Sequence, residues 1–263
     1  MTVFRTFASG SSGNAALLSC ENTHILIDMG ISCKRVCAAL KVLGLTPEDL
    51  SAILITHEHS DHIKGLETYV KKYRTPIFCT SAVSRQLSYR IAGIDPLLHT
   101  MQFGGTAQFG EVSAEILPTC HDCRESAAWH FITPEGRVGY LTDTGYIVEE
   151  TGKRLLGAEL LVLESNHDVG MLLGGRYPYP LKRRILGEQG HLSNDAAAAY
   201  AAGSVRAGTR MVLLAHLSQD NNTPETALGT VGAALAGLDV TLATAPWDAM
   251  SEAYCLEGAV CRE

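Results

Sequence analysis

The sequence predicts one domain over residues 1–263, built as two β-sheets packed face to face with helices outside, a four-layer αβ/βα sandwich of the α/β class. Three observations predict it. Short β-rich runs alternate with helical stretches along the whole chain. Several of the most apolar runs have strand length rather than helix length. No Pro/Ser-rich linker or block of like charge divides the 263 residues, a length that would otherwise allow one large domain or two small ones.

Residues 3–8, 15–19 and 24–28 read as three strands separated by Gly, Ser and Asn turns. Residues 31–43 read as a helix closed by Gly44. Thr46-Pro47-Glu48 has the form of a cap with proline at the first helical position. Residues 52–56 are short and continuously apolar, the signature of a central strand buried on both faces. In the second half, residues 111–117, 128–133, 137–142 and 160–164 read as strands. Residues 194–207 are Ala-rich and helical with Ser193 as cap, and 211–215 form another apolar strand. Thr223-Pro224-Glu225 opens a last helix, followed by strands near Val240 and Tyr254.

Composition narrows the function classes. An apolar content of 46% suffices for a buried core, and a charged fraction of 19% is too low for a disordered chain. A net charge of -7 argues against indiscriminate nucleic-acid binding, while leaving room for a local basic groove. No apolar run approaches the roughly 20 residues that span a bilayer. The first residues, Met1-Thr2-Val3-Phe4-Arg5, lack the basic and apolar regions of an export signal, so the expected compartment is the cytoplasm, with no membrane partner. Most of the eight cysteines are then expected as thiols. Cys33 and Cys37, one helical turn apart, read as core-facing. Cys120 and Cys123 flank His121 like half a zinc knuckle, but no second pair follows at finger spacing.

The chemistry lies in His57-Glu58-His59-Ser60-Asp61-His62, directly after the buried strand. Three imidazoles and a carboxylate within six residues at a strand end are costly unless a cation binds there, and these ligand types suit Zn, Mn or Fe. The plain alternative is a polar loop ahead of a helix. His57 and His59 are two apart, so an extended backbone points both to one side. Asp61 and His62 follow the turn and can reach a second ion. Further candidates close later strands: His121 after 111–117, Asp143 after 137–142, His216 after 211–215. Singly each could be an ordinary polar residue; together they end strands on one edge of the inferred sandwich.

This motif and its order resemble the metallo-β-lactamase superfamily, with Asp28 in Ile25-Leu26-Ile27-Asp28 matching its first motif. Four segments resemble more particularly the WalJ (YycJ) group: Ala8 to Asn14 (ASGSSGN), Glu164 to Asp168 (ESNHD), Gly190 to Asn194 (GHLSN) and Ala215 to Asn222 (AHLSQDNN). The resemblance runs from about residue 3 to about 230. After His121 it departs, with Cys123 and Glu125-Ser126 in place of small residues and proline. The resemblance implies a nuclease, 5′-to-3′ on DNA, with two divalent metal ions, Zn or Mn, as cofactors. It implies His57, His59 and His121 on one ion, Asp61, His62 and His216 on the other, and Asp143 bridging. Such a pair can share a hydroxide that attacks phosphorus, with Asp61 also orienting it. His191 resembles the general-acid histidine of the tRNA 3′-processing endonucleases, where Glu164 also has an orienting counterpart, and an imidazole titrates near neutrality. The alternative for His191 is a helix-terminus histidine without catalytic work. His167 reads about equally as structural or as a residue that faces substrate or supports a metal ligand, and His24, His99 and His130 as ordinary residues.

Two stretches bear on the substrate. The turn with Ser9, Ser11, Ser12 and Asn14 can offer hydroxyls and backbone N–H groups to a phosphate, or simply join two strands. Residues 176–184, with Arg176, Lys182, Arg183 and Arg184 and two interleaved tyrosines, form the one dense basic cluster. They could grip a phosphate backbone and stack on an end base, or form a solvated face. Ser193 and Asn194 complete the expected substrate-binding set. The Asp143-to-His216 interval is too short for an inserted β-CASP domain, and no long RNA-gripping arm fits between His121 and Asp143. The partner that the resemblance implies is DNA, with RNA as the alternative and no other protein implied. Competing readings are a thioester or small-phosphodiester hydrolase, and a metal-binding module without chemistry. His191 and the basic cluster disfavour the former; seven filled ligand positions disfavour the latter.

Overall fold

The computed structural model describes residues 1–256 and 259–261. The chain begins with an antiparallel meander, β1 (Thr2–Ala8), β2 (Ala15–Cys20) and β3 (Thr23–Ile27). It passes through α1 (Cys33–Val42) to β4 (Leu50–Leu54), which joins β3 in parallel. Two short helices, α2 (Ser60–Ile63) and α3 (Leu66–Val70), lead to β5 (Ile77–Thr80), and α4 (Ser81–Arg90) to β6 (Leu98–Met101); both strands extend the sheet in parallel.

The second sheet repeats the plan. β7 (Thr106–Phe109), β8 (Val112–Thr119), β9 (Ser126–Thr133) and β10 (Gly136–Leu141) are antiparallel. After α5 (Glu149–Leu155), β11 (Leu160–Glu164) pairs in parallel with β10. Then come α6 (Val169–Gly174), α7 (Tyr179–Ile185), α8 (Asn194–Arg206), the parallel β12 (Met211–Ala215), α9 (Pro224–Ala234) and the parallel β13 (Thr241–Thr244). The chain returns to the first sheet with β14 (Ala253–Cys255) beside β1 and β15 (Ala259–Cys261).

The four expected layers are present. Alternate residues of both sheets, among them Phe4, Leu18, Ile25, Leu54, Ile116, Trp129, Phe131, Val162 and Leu213, fill the space between the sheets. The opposite face of the first sheet packs on Val36 and Leu40 of α1, Leu66 of α3 and Leu87 of α4. The opposite face of the second packs on Leu155 of α5, Ala197 and Ala201 of α8 and Val231 of α9. Central strands covered on both faces have no polar side to offer, which is why β4, β11 and β12 are nearly all apolar.

Several expectations shift at the ends of elements. The helix read over 31–43 starts at Cys33, because the Ser32 side chain accepts the Arg35 N–H and caps it there. Thr46-Pro47-Glu48 opens a single 3-10 turn, Pro47–Asp49. The strand read over 52–56 is shifted to Leu50–Leu54, although Ile55 still donates to the Phe78 carbonyl. Cys33 is buried and Cys37 partly so, with their sulfurs 3.9 Å apart in the layer under α1. Cys20, Cys33, Cys37, Cys79, Cys120 and Cys123 are free. Among the described residues no helix is long and apolar enough to cross a membrane.

Candidate metal centre

The carboxyl ends of β4, β8, β10, β11 and β12 meet at one edge of the sandwich, the edge at which sheets with parallel strands carry their ligands. They bring together all seven residues read as ligands. His57, His59 and His121 form one group whose ligand atoms lie within 4.8 Å of one another, and Asp61, His62 and His216 form a second. Asp143 stands between them. Its Oδ2 is 3.4 Å from His62 Nε2, and its Oδ1 is 3.8 Å from His121 Nε2. Oδ1 is also 3.5 Å from His216 Nδ1, so one carboxylate reaches residues of both groups.

Four of the five imidazoles are aimed by a contact at their other nitrogen. His62 Nδ1 is 2.8 Å from Asp28 Oδ2, and Asp28 also accepts the Thr56 N–H and hydroxyl. His57 Nδ1 lies 3.1 Å from Thr56 Oγ1. His121 Nδ1 donates to the Gly190 carbonyl, and His216 Nδ1 to Glu164 Oε1. Such outer contacts fix the tautomer and leave Nε2 facing the centre. Asp28, Asp143 and His216 are held at φ 59°, 56° and 55°, a region L-residues rarely enter. Strain of this kind persists where the surrounding structure over-determines it, typically at functional positions.

The donor set fits a cation. His57 Nε2, His216 Nε2 and Asp143 Oδ2 are buried with no hydrogen-bond partner among the described residues, and each would cost free energy if left so. In the metal-free chain protons take part of the cation's place. Burial alone would lower the His216 imidazole, but Asp143, Asp61 and Glu164 outweigh it and raise it to about 10. His62 is likewise driven well up by Asp143 and Asp28 against its burial. Burial pushes His57 well down, with the charge on His62 adding to it. Asp143 stays well below the usual carboxylate range despite complete burial, because His216, His62, His57 and His121 surround it.

Beside the ligands, Oε1 of Glu164 accepts from Nδ1 of His191 at 2.8 Å, while Oε2 accepts the Thr144 and Leu192 N–H groups. The His191 ring lies 4.9 Å from that of His121 and 5.2 Å from that of His216. A pocket of about 150 Å³ adjoins it, lined by Ser11, Asn166, Tyr177, Leu181, Arg184, Ile185, Gly190, His191 and Ser218.

The remaining candidates divide. Ser11 and Ser12 are exposed, and Ser11 lines this pocket. Ser9 is buried, its hydroxyl accepting the His216 N–H. Asn14 is buried between Gly10 and His62. Asn194 is buried against Ser165 and Asn222, Ser193 caps α8, and His167 is 1% exposed with burial lowering it to about 4. Ser9, Asn14, Ser193 and Asn194 thus bond to neighbouring groups of the protein, whereas both ring nitrogens of His167 are buried without a partner among the described residues. Of the basic cluster, Arg176 and Arg183 are exposed, whereas Lys182 donates to the Leu173 and Gly175 carbonyls. His24, His99 and His130 sit away from the centre, against Ser19, Phe78 and Glu115. Cys120 and Cys123 join no metal-capable group among the described residues. Thr56 and Asp122 were not legible as site residues; Asp122, adjacent to His121, lies 3.1 Å from its Nε2.

The family model described as the Beta-lactamase superfamily domain matches residues 23–217. The chain belongs to the metallo-β-lactamase superfamily. Within this superfamily it is 38% identical over 234 residues to exodeoxyribonuclease YycJ of Bacillus anthracis, covering 88% of each chain. It is 35% identical to exodeoxyribonuclease WalJ of Streptococcus pneumoniae over 240 residues, covering 90% of this chain and 89% of that one. The metallo-beta-lactamase fold protein YhfI of Bacillus subtilis superposes with a TM-score of 0.70 at 18% identity, over 95% of this chain and 99% of that one. The chain is thus a hydrolase of the superfamily, whose fold implies use of divalent metal.

Proposed function

We propose that this protein is a two-metal phosphodiesterase that digests DNA from the 5′ end, His191 protonating the departing oxygen. The observation that carries this reading is the 2.8 Å bond from His191 Nδ1 to the buried Glu164 carboxylate beside the two ligand groups. A thioesterase needs no proton donor there, because a thiolate leaves unaided, whereas the alkoxide of a phosphodiester needs one. The sequence relatives named exodeoxyribonucleases support the same substrate class.

Divalent cations on His57, His59 and His121 and on Asp61, His62 and His216, shared through Asp143, would supply Lewis acidity toward phosphoryl oxygens and acidify a water. The chain's own residues do the rest. Asp61, with its side chain 22% exposed, is the carboxylate placed to orient that water. Glu164 accepts the Nδ1–H of His191, so in the imidazolium the proton free to be transferred is the one on Nε2. Burial alone would raise the Glu164 carboxyl, yet His191 and His216 hold it down at about 2, so it remains an anion throughout. Ser11, Tyr177 and Arg184, lining the pocket against His191, offer polar contacts to a strand end, and Arg176 and Arg183 offer charge to its backbone.

Incubation with Mn or Zn and DNA or RNA labelled separately at each end tests the proposal. Mononucleotide should be released first from the 5′ label on DNA. Release from the 3′ label first, or thioester cleavage with DNA untouched, refutes it.

A further inference from the structure

Asp122 is outside the seven ligand positions, yet one of its oxygens reaches the first triad. Oδ1 lies 3.1 Å from His121 Nε2 and 3.5 Å from His59 Nε2. It is buried and has no hydrogen-bond partner among the described residues. At 3.1 Å a hydrogen bond would be in reach, but His121 donates its Nδ1–H to the Gly190 carbonyl, so the neutral ring has no proton on Nε2 to give Asp122. Polar atoms that touch without bonding one another point to a common third partner. Ligands that share one cation through bonds of about 2.0–2.1 Å stand no more than about 4.2 Å apart. The two observed separations, 3.1 and 3.5 Å, fall inside that limit.

The charge balance agrees. The second triad contains a carboxylate, Asp61, whereas the first consists of three imidazoles. A divalent ion on neutral imidazoles and a shared Asp143 lacks the anion that its counterpart has, and Asp122 would supply one. The other oxygen of Asp122, Oδ2, is ion-paired with the Arg184 guanidinium near the end of α7. Arg184 is 56% exposed and also lines the pocket against His191. The pair therefore runs from the centre to the surface that carries the basic cluster.

We infer that Asp122 is a further ligand of the cation held by His57, His59 and His121, with its carboxylate oriented by Arg184. The inference rests on the metal-centre reading above. A substrate phosphate suits a guanidinium as well as a carboxylate does, so phosphate and Asp122 compete for Arg184. The basic segment and the first triad are thereby coupled through one side chain.

The test is titration of the chelator-treated full chain with Co2+, recording calorimetry and the visible spectrum for wild type and Asp122→Asn. Loss of a ligand should weaken one of the cobalt sites by at least the roughly 10–100-fold that loss of an outer contact produces, and alter its absorption bands, leaving the other site unchanged. Unchanged affinity, or weakened affinity with an unchanged spectrum, overturns the inference and leaves Asp122 as an anchor for Arg184 only. Absence of cobalt uptake by the wild type overturns the metal-centre reading itself, so the two failures are distinct. Thermal unfolding of the chelated proteins reports whether the variant folds, and Asp122→Ser repeats the test if asparagine is not tolerated.

Discussion

Glu164 and His191 are joined by a 2.8 Å bond from Nδ1 to Oε1, and the same oxygen accepts from Nδ1 of His216 at 2.8 Å. One buried carboxylate therefore fixes both the proposed proton donor and a proposed metal ligand. Glu164→Gln should damage both. Metal affinity is expected to fall about 10–100-fold, the range for loss of an outer contact to a ligand. Adding His191→Ala should cost less than it does alone, because the two residues act as one unit. Metal titration and DNA cleavage of the single and double variants check this; strictly additive losses would separate the two roles.

The same contacts set a pH window for the metal-free fold. The Glu164 carboxyl is depressed from 4.5 to about 2, so its contribution is complete above 4.5 and is lost as pH falls through 2. His216 is raised from 6.5 to about 10, so its contribution is complete below 6.5 and is lost as pH rises through 10. The chelated protein should therefore show its highest Tm between about pH 4.5 and 6.5 and decline on the alkaline side. Metal replaces those protons, so the loaded protein should lose the alkaline decline, and its apparent metal affinity should rise with pH. Thermal scans of both forms from pH 3 to 10 decide it; parallel profiles would contradict the assignment.

Much of this candidate centre was legible because imidazoles and carboxylates clustered at strand ends are unusual. His57 to His62, His121, Asp143 and His216 stand out after apolar runs, and 160–164 and 211–215 read as strands with their observed bounds. What stayed hidden has physical reasons. Ile77–Thr80 and Leu98–Met101 are four residues each, too short to show a period, and the latter is an edge strand half open to solvent. A serine in a turn gives no sign of whether its hydroxyl meets a ligand or, as with Ser9, a backbone N–H. A lysine in a basic run looks cationic to its surroundings even when, as with Lys182, its ammonium is occupied by carbonyls. Asp122 was overshadowed by the histidine before it.

Gly30 offers a structural lesion confined to one triad. A Cβ there would collide with the Asp61 carbonyl and the Asn14 nitrogen, in a junction where Asn14 N–H donates to Asp61 O at 2.7 Å. Gly30→Ala should displace the segment bearing Asp61 and His62, costing about 1–3 kcal/mol. Metal content should fall from two equivalents toward one, with the His57, His59 and His121 triad retained. Two full equivalents after dialysis would show that the loop adapts.

The exposed arginines give a separable prediction. Arg176→Glu with Arg183→Glu should weaken DNA binding and flatten its dependence on salt, each lost phosphate contact reducing the slope by about one. Zinc affinity should be unchanged, since neither side chain belongs to the metal-capable groups. Binding isotherms at several salt concentrations check both; an unaltered slope would make the cluster a solvated face.

The central claim, that His191 donates the proton to the departing oxygen, is tested most directly by comparing two leaving groups. His191→Ala is measured on DNA and on a nucleoside 5′-p-nitrophenyl phosphodiester, whose nitrophenolate departs without protonation. The account predicts full metal content, a loss of about 10²–10⁴-fold on DNA and little loss on the activated ester. Equal losses on both substrates, or undiminished cleavage of DNA, would contradict it.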